Sequence, residues 1–341
     1  MTRTTRWALA ALAGAAMTLA TLPAAVEAQT TWRMHSQWNE ARPEAQWLEM
    51  FSQKVAERTD GELMIEIYHG GSLGLADADL LRTLPAGAVE IAMTIAENFG
   101  RDGPEIALIY NTGMIKDEVD HFRAEPALQE IYEEFFAGHD IVMAGSMQPT
   151  LFPLNVLCRD RAVDSLETLR GLKLRVFSRT LADTFGEFGV AAQIIPQSEM
   201  YVAMQTGVVD CGVYGFNSAR TISLNEVARY ASFFGTYAAA PYPVIVNRAA
   251  WEGLTDAQRA AVTEALDEMS EVTRAMATDV SLEDEARDEF VAGGFTVLDA
   301  FPVEDQEALQ RASFEVAERL VERAGPVAQE NLRRVLDALG L

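Results

Sequence analysis

The sequence has few cysteines, few histidines and few basic side chains. Two cysteines, Cys158 and Cys211, form no CxxC pair, and no two of the four histidines are spaced i, i+4. A thiolate zinc site, an iron–sulfur cluster and a helical histidine site therefore have no support, and we expect no metal and no cofactor. Because 51 acidic residues outnumber 27 basic ones, for a net charge of -24, the surface repels nucleic acid and anionic lipid.

Several motifs that mark enzymes are also missing. The sequence contains no Walker A loop, no GxGxxG turn and no HExxH pair, and no spacing singles out a catalytic pair among the many carboxylates. This scarcity favours a binding protein over an enzyme. An exported hydrolase or lyase that uses carboxylates in a cleft, and a ligand-binding sensor with no role in transport, remain the alternatives.

The N-terminus has the pattern of a secretory signal peptide. Arg3 and Arg6 are followed by an uncharged, mostly apolar run over residues 7–22 and by small residues up to Ala28. The run is shorter than the roughly 20 residues that a membrane-spanning helix needs, which disfavours an uncleaved anchor. We expect cleavage near Ala28 and a mature protein in the periplasm.

Downstream, short β-type segments alternate with amphipathic helical ones. This order predicts an α/β fold with largely parallel sheets covered by helices. Residues 256–292 contain no glycine or proline, and Thr255 with Gln258 matches a capping box at their start. A single helix of that length would measure about 55 Å and run across two domains.

Arg175 lies at the end of a predicted strand, just before a predicted helix. Ligands usually bind at the carboxyl ends of strands in open α/β sheets, and a guanidinium suits a carboxylate through two parallel hydrogen bonds. The alternative is an ordinary salt bridge to one of the many acidic residues.

Four segments, in order, resemble the DctP-like solute-binding proteins of tripartite ATP-independent periplasmic (TRAP) transporters. They are FSQKVAERTDGELMIEIYHGGSLG at 51–74, TLRGLKLRV at 168–176, QSEMYVAMQTGVVDC at 197–211 and PYPVIVNRAAWEGLTDAQRAAV at 241–262. The resemblance implies a two-lobed periplasmic binding protein-like fold with a long helix spanning both lobes. It also implies a cleft that closes on an organic acid held by Arg175, and delivery of that acid to small and large membrane subunits. We expect a monomer.

The resemblance also implies lobe boundaries and further ligand contacts. We predict a first lobe of residues 29–152 and 241–282 and a second of 153–240 and 283–341. Glu97 in MTIAENFG matches a family position near the ligand, and Trp38 and Asn39, with Gln37, follow the first strand towards the cleft.

Two departures from the family pattern change the expected pocket. CGVYGFN stands where the family often has Q-E-N-P, which puts Tyr214 at the asparagine position with Phe216 and Asn217 nearby. Phe152 lies where many members have a second arginine. The pocket therefore loses a cation and an amide and gains aromatic surface.

These departures favour an apolar or aromatic monocarboxylate, or a 2-oxo acid, and Phe177 adds to the aromatic set. A C4-dicarboxylate remains an alternative and would need a second cation. Arg179 is a candidate for that cation, although exposure on the surface is the simpler expectation. A sugar acid is less favoured because it needs many polar partners.

For the cysteines, we weigh a disulfide in an oxidising compartment against two buried thiols beside strands. We predict reduced, buried thiols.

Overall fold

A computed structural model describes residues 29–341 except 111, 112, 116, 150 and 239. The predicted signal peptide, residues 1–28, lies outside the described residues. No helix in the described part of the chain combines the length and apolar character needed to cross a membrane.

The strands form two sheets. In chain order they are β1 (Thr30–Ser36), β2 (Leu63–Tyr68), β3 (Ile91–Met93), β4 (Ile141–Met147), β5 (Phe152–Cys158), β6 (Lys173–Val176), β7 (Ala191–Ile194), β8 (Cys211–Tyr214), β9 (Tyr230–Ala238), β10 (Tyr242–Asn247) and β11 (Thr296–Val297).

Helices cover both sheets. They are α1 (Pro43–Arg58), α2 (Leu80–Thr83), α3 (Pro104–Ala107), α4 (Glu118–Ala137), α5 (Leu166–Leu169), α6 (Arg179–Glu187), α7 (Gln197–Gln205), α8 (Phe216–Thr221), α9 (Arg248–Glu252), α10 (Asp256–Met276), α11 (Ser281–Ala292), α12 (Val303–Ala324) and α13 (Pro326–Leu339).

Each sheet is the centre of one lobe, which confirms the predicted α/β, two-lobed fold. The first sheet has the strand order β2-β1-β3-β10-β4 and the second β11-β9-β5-β8-β6-β7. The sheets are mixed and not largely parallel, because β10 pairs antiparallel with β3 and β4, and β5 pairs antiparallel with β8 and β9. Both antiparallel strands directly follow a crossing of the chain from one sheet to the other.

The predicted helix over residues 256–292 is two helices, α10 and α11. Its expected start is confirmed, since Thr255 Oγ1 accepts from the Gln258 amide at 3.2 Å and Gln258 Oε1 accepts from the Thr255 amide at 3.0 Å. The break after Met276 has a tertiary cause. The Ala277 carbonyl accepts from the Leu151 amide at 2.7 Å, and the Ser281 amide donates to Asp279 Oδ1 at 2.9 Å. These bonds replace the helical one between Ala277 and Ser281.

The two halves of the broken helix serve different lobes. α10 packs against α1 and β4 of the first lobe, and α11 packs against α8 of the second. The break therefore coincides with a crossing of the chain between the lobes.

One predicted lobe boundary needs correction. We expected residues 283–341 in the second lobe, and α12 does pack against α6 and β9 there. However, α13 packs against α3 and α4, and its side chains Ala328, Leu332, Val335 and Leu339 belong to the same buried cluster as Leu128 of the first lobe. The last helix therefore belongs to the first lobe, while the remaining boundaries stay a prediction.

The prediction of free thiols is wrong, because Cys158 and Cys211 form a disulfide. The two residues lie directly opposite each other in the antiparallel pair β5–β8, with 4.1 Å between their Cα atoms. Their burial was predicted correctly, since each is at most 1% exposed. The bond closes a loop that contains the elements α5, β6, α6, β7 and α7.

Candidate ligand-binding site

Arg175 is the buried cation of the second lobe. It is 2% exposed in β6, where Nε donates to the Ile195 carbonyl at 2.8 Å and Nη1 donates to the Val213 carbonyl at 3.1 Å. Its guanidinium carbon lies 5.9 Å from the centre of the Phe177 ring and 5.4 Å from that of Tyr214. Burial lowers its pKa to about 10, so the side chain is still charged at neutral pH.

No carboxylate of the described residues lies within ion-pair distance of Arg175. The salt-bridge alternative raised by the sequence is therefore not realised in this part of the chain. A buried charge held only by neutral groups is costly unless a counter-charge reaches it. The chemistry of the site suits an anion that brings its own negative charge.

Tyr214 and Gln197 connect this arginine to the first lobe. The Tyr214 hydroxyl donates to Gln197 Oε1 at 2.5 Å, and Gln197 Nε2 donates to the Gln37 carbonyl at 3.1 Å. Sequence reasoning placed Tyr214 and Gln37 near the cleft but missed Gln197. Its position at the start of the matched segment 197–211 was the available signal.

Asn39 makes a second contact between the lobes. Its Nδ2 donates to the Thr221 carbonyl in α8 at 3.4 Å, and its Oδ1 accepts from the Ala41 amide. The predicted residue therefore lies where the lobes meet, and its amide is already hydrogen-bonded there.

Glu97 is a partly buried acid of the first lobe. It lies in a 3-10 turn after β3, and its Oε2 is buried without a hydrogen-bond partner among the described residues. Burial raises its pKa to about 7. Burial, and to a smaller degree the negative charge of Glu97, raises the pKa of the phenols of Tyr110, Tyr132 and Tyr242. Near neutral pH this carboxyl therefore carries its proton for much of the time.

We expect Glu97 to make stability fall as pH rises. The folded pKa of about 7 exceeds the reference value of 4.5, so the folded state holds the proton more tightly than the unfolded state does. This contribution is complete below pH 4.5, is lost as pH rises to about 7, and is constant above that. Glu97→Gln should match the wild type at pH 4 and exceed it at pH 8 by roughly 3 kcal/mol in urea unfolding.

The matched control is Glu62→Gln, which alters an exposed glutamate. It should leave the free energy of unfolding unchanged at both pH 4 and pH 8. Equal gains for Glu97→Gln at both pH values would show that the carboxyl does not titrate as its burial implies.

The predicted aromatic residues do not all lie beside Arg175. Phe177 and Tyr214 do, as their distances show. Trp38 is 4% exposed and packs against Tyr242, with ring centres 5.1 Å apart. Phe216 packs against Phe290 and Phe295 in the second-lobe core, because α8 turns its first side chain towards α11.

Phe152, at the start of β5, is 8% exposed. Its ring lies so close to Gly215 that a Cβ there would come within 2.4 Å of Cδ2. The ring therefore packs against the backbone at the end of β8, the strand that carries Tyr214.

Asn217 belongs to a polar cluster between α8 and α11. Glu283 caps α8, accepting from the Phe216 amide at 2.6 Å and the Asn217 amide at 3.1 Å. Burial raises the pKa of Glu283 to about 7, against the lowering effect of these two bonds. The Asn217 side-chain oxygen accepts from Arg220 at 2.9 Å, so this amide too is engaged within the protein.

Arg42 is a second buried cation, which sequence reasoning missed. Its Nε donates to Glu44 Oε2 at 2.9 Å, and its Nη1 binds the Ser218 hydroxyl of the second lobe. Glu44 already neutralises this charge within the protein. Arg42 therefore joins the lobes without offering an unpaired cation.

Arg179, the candidate second cation, lies on the surface of α6. Its side chain is 57% exposed and pairs with Asp183 Oδ1 at 2.9 Å, one helical turn further along α6. The helix start turns this residue to solvent, which is the simpler of the two expectations for it.

Two further observations concern metal binding and a nucleophilic serine. No group of three or more His, Cys, Asp or Glu side chains among the described residues could hold a metal ion. The segment GGSLG at 70–74 has the G-x-S-x-G spacing, but it forms a 3-10 turn after β2 instead of a strand–turn–helix elbow.

Comparison with known proteins identifies the family. Residues 34–324 match the bacterial extracellular solute-binding protein family 7, also called DctP. The chain belongs to this family. Its members act as solute-binding subunits of TRAP transporters outside the cytoplasm, which confirms the resemblance seen in the sequence.

Two relatives cover most of the chain. The C4-dicarboxylate-binding periplasmic protein of Rhodobacter capsulatus is 24% identical over 299 residues, which are 83% of this chain and 84% of the relative. The monocarboxylate 2-oxoacid-binding periplasmic protein of a Nostoc species is 25% identical over 296 residues, which are 84% and 78% of the two chains. The ligands for which these two relatives are named thus differ in their number of carboxylates.

Solved structures share the fold. A Bordetella pertussis extracytoplasmic solute receptor that binds pyroglutamic acid matches with a TM-score of 0.81 at 19% identity, covering 92% of this chain and all of that one. The family binds small organic acids and works with membrane subunits, and its members are binding proteins rather than enzymes.

Proposed function

We propose that this subunit captures a small organic monocarboxylate, either apolar or aromatic or a 2-oxo acid, between its two lobes. Arg175 binds the carboxylate, the lobes close over it, and the protein delivers it as a monomer to the small and large membrane subunits. The observation that carries the proposal is the buried Arg175 guanidinium, which has neutral partners and no described carboxylate within ion-pair distance.

Charge balance favours one carboxylate over two. The described site offers one buried cation that no protein carboxylate neutralises, since Arg42 pairs with Glu44 and Arg179 pairs with Asp183 on the surface. A second ligand carboxylate would enter a strongly acidic protein without a partner, and burying an unpaired charge is costly. A C4-dicarboxylate therefore fits less well.

The groups around Arg175 indicate the rest of the ligand. Phe177 and Tyr214 present aromatic surface beside the guanidinium, which suits an apolar or aromatic body. Glu97 remains our candidate for the distal end of the ligand. With its raised pKa it can donate a hydrogen bond to a carbonyl oxygen, and a 2-oxo acid or a lactam offers such an acceptor.

A thermal-shift screen tests the proposal. The panel contains pyruvate and branched 2-oxo acids, phenylpyruvate, benzoate, pyroglutamate, glucuronate, and the dicarboxylates succinate and malate. A true ligand at 100 times its Kd stabilises the protein by about 2.7 kcal/mol, which gives a clear rise in Tm. We expect monocarboxylates to give the largest shifts. Stabilisation by succinate or malate alone would overturn the proposed ligand class, and turnover of any stabilising acid would favour the enzyme alternative.

A further inference from the structure

Gln197 lies between the lobes, and its side-chain amide forms a hydrogen bond with each of them. Its Oε1 accepts from the hydroxyl of Tyr214, at the end of β8 in the second lobe. Its Nε2 donates to the backbone carbonyl of Gln37, the residue directly after β1 in the first lobe. One planar group therefore links the two lobes.

The same side chain is connected to Arg175 by two routes. The Tyr214 ring that binds Gln197 lies 5.4 Å from the guanidinium carbon. In addition, Arg175 Nε donates to the carbonyl of Ile195, two residues before Gln197 at the start of α7. Arg175 and Gln197 are therefore connected through residues that contact both of them.

The Tyr214 hydroxyl also fixes the direction of the amide. An amide accepts at its oxygen and donates at its nitrogen, so the two ends are not interchangeable. With Oε1 accepting from Tyr214, the nitrogen faces the Gln37 carbonyl. In the opposite orientation two oxygens would face each other with no proton between them, and that contact would repel the lobes.

We propose that Gln197 is a positioning residue for ligand capture, which holds the first lobe against the second and so keeps an acid bound to Arg175 enclosed. Tyr214 sets the direction of its amide. This inference rests on the proposed function. Two other contacts, Asn39 with Thr221 and Arg42 with Ser218, join the same part of the first lobe to the second, so loss of Gln197 weakens closure without abolishing it.

The test uses Gln197→Met, which keeps the length of the side chain but removes its hydrogen bonds. The control is Gln205→Met, an exposed glutamine on the same helix. The probe is the acid that gives the largest thermal shift with the wild type. Gln197→Met should release it about three- to tenfold faster at an unchanged association rate, the effect of losing one interlobe hydrogen bond. Small-angle scattering should show less compaction on binding.

A double-mutant cycle tests the role of Tyr214. Tyr214→Phe should speed release, and adding Gln197→Met should add little, because both changes break the same link. Additive effects would overturn the assigned role of the hydroxyl. Release rates and compaction equal to those of Gln205→Met would overturn the inference itself.

Failure of the proposed function is a separate outcome. If no acid in the panel binds the wild type, that function is wrong. Scattering from the ligand-free protein then decides the role of Gln197. Gln197→Met must show a larger radius of gyration than Gln205→Met, and equal radii would show that Gln197 does not hold the lobes together.

Discussion

Arg175→Ala is expected to weaken ligand binding by at least about 30-fold, because truncating one partner of a buried charge pair costs roughly 2–5 kcal/mol and each 1.4 kcal/mol is a factor of ten. The ligand must approach a protein with a net charge of -24 and lose its hydration, and Arg175 supplies the compensating attraction. Calorimetry with the acid selected by thermal shift measures the change.

Two further variants sharpen this prediction. Arg175→Lys should recover only part of the affinity, because an ammonium group lacks the planar fork that binds both carboxylate oxygens. Arg179→Ala is the matched control, since it removes an arginine four residues away that is exposed and paired with Asp183. Affinity of folded Arg175→Ala within threefold of the wild type would contradict the assigned role.

Removing the disulfide between Cys158 and Cys211 is expected to lower the free energy of unfolding substantially. Cys158 and Cys211 are 53 residues apart, and closing a loop of that length in the unfolded chain corresponds to about 4 kcal/mol in the chain-entropy estimate. The double variant Cys158→Ala with Cys211→Ala should therefore unfold at clearly lower urea concentration. Because the bond joins β5 to β8, the second lobe should be the part that is weakened.

Reductant provides the control for this experiment. Dithiothreitol should lower the stability of the wild type towards that of the double variant and should leave the double variant unchanged. Thiol titration of denatured, unreduced protein should find no free thiol. Equal urea midpoints for the wild type and the double variant would show that the bond does not contribute to stability.

The features that sequence predicted well depend on neighbouring residues. The alternation of strands and helices predicted the α/β class, the family resemblance implied two lobes, and the capping box placed the start of α10 at Thr255. Arg175 could be predicted as a ligand-binding residue because the residues immediately around it indicate the end of a strand. Its burial is consistent with that choice, although its role remains a proposal.

The features that sequence missed depend on long-range pairing. The disulfide follows from the register of β5 against β8, which no local pattern encodes. The break between α10 and α11 follows from the Leu151 amide, 126 residues before Ala277, and no glycine or proline marks it. Likewise, the contact of Gln197 with Gln37 spans 160 residues. The packing of Phe216 against Phe290 and Phe295 was also not predicted, because these partners lie far along the chain.

The packing of α13 sets an order for the folding of an exported chain. Ala328, Leu332, Val335 and Leu339 complete the core of the lobe that begins at β1, and Arg123 of that lobe binds the Leu339 carbonyl. A chain that emerges from a membrane channel with its N-terminus first delivers these residues last. The first lobe therefore cannot finish its core until α13 has been translocated. While α13 is still in the channel, first-lobe residues such as Leu128 lack the side chains that cover them in the folded protein.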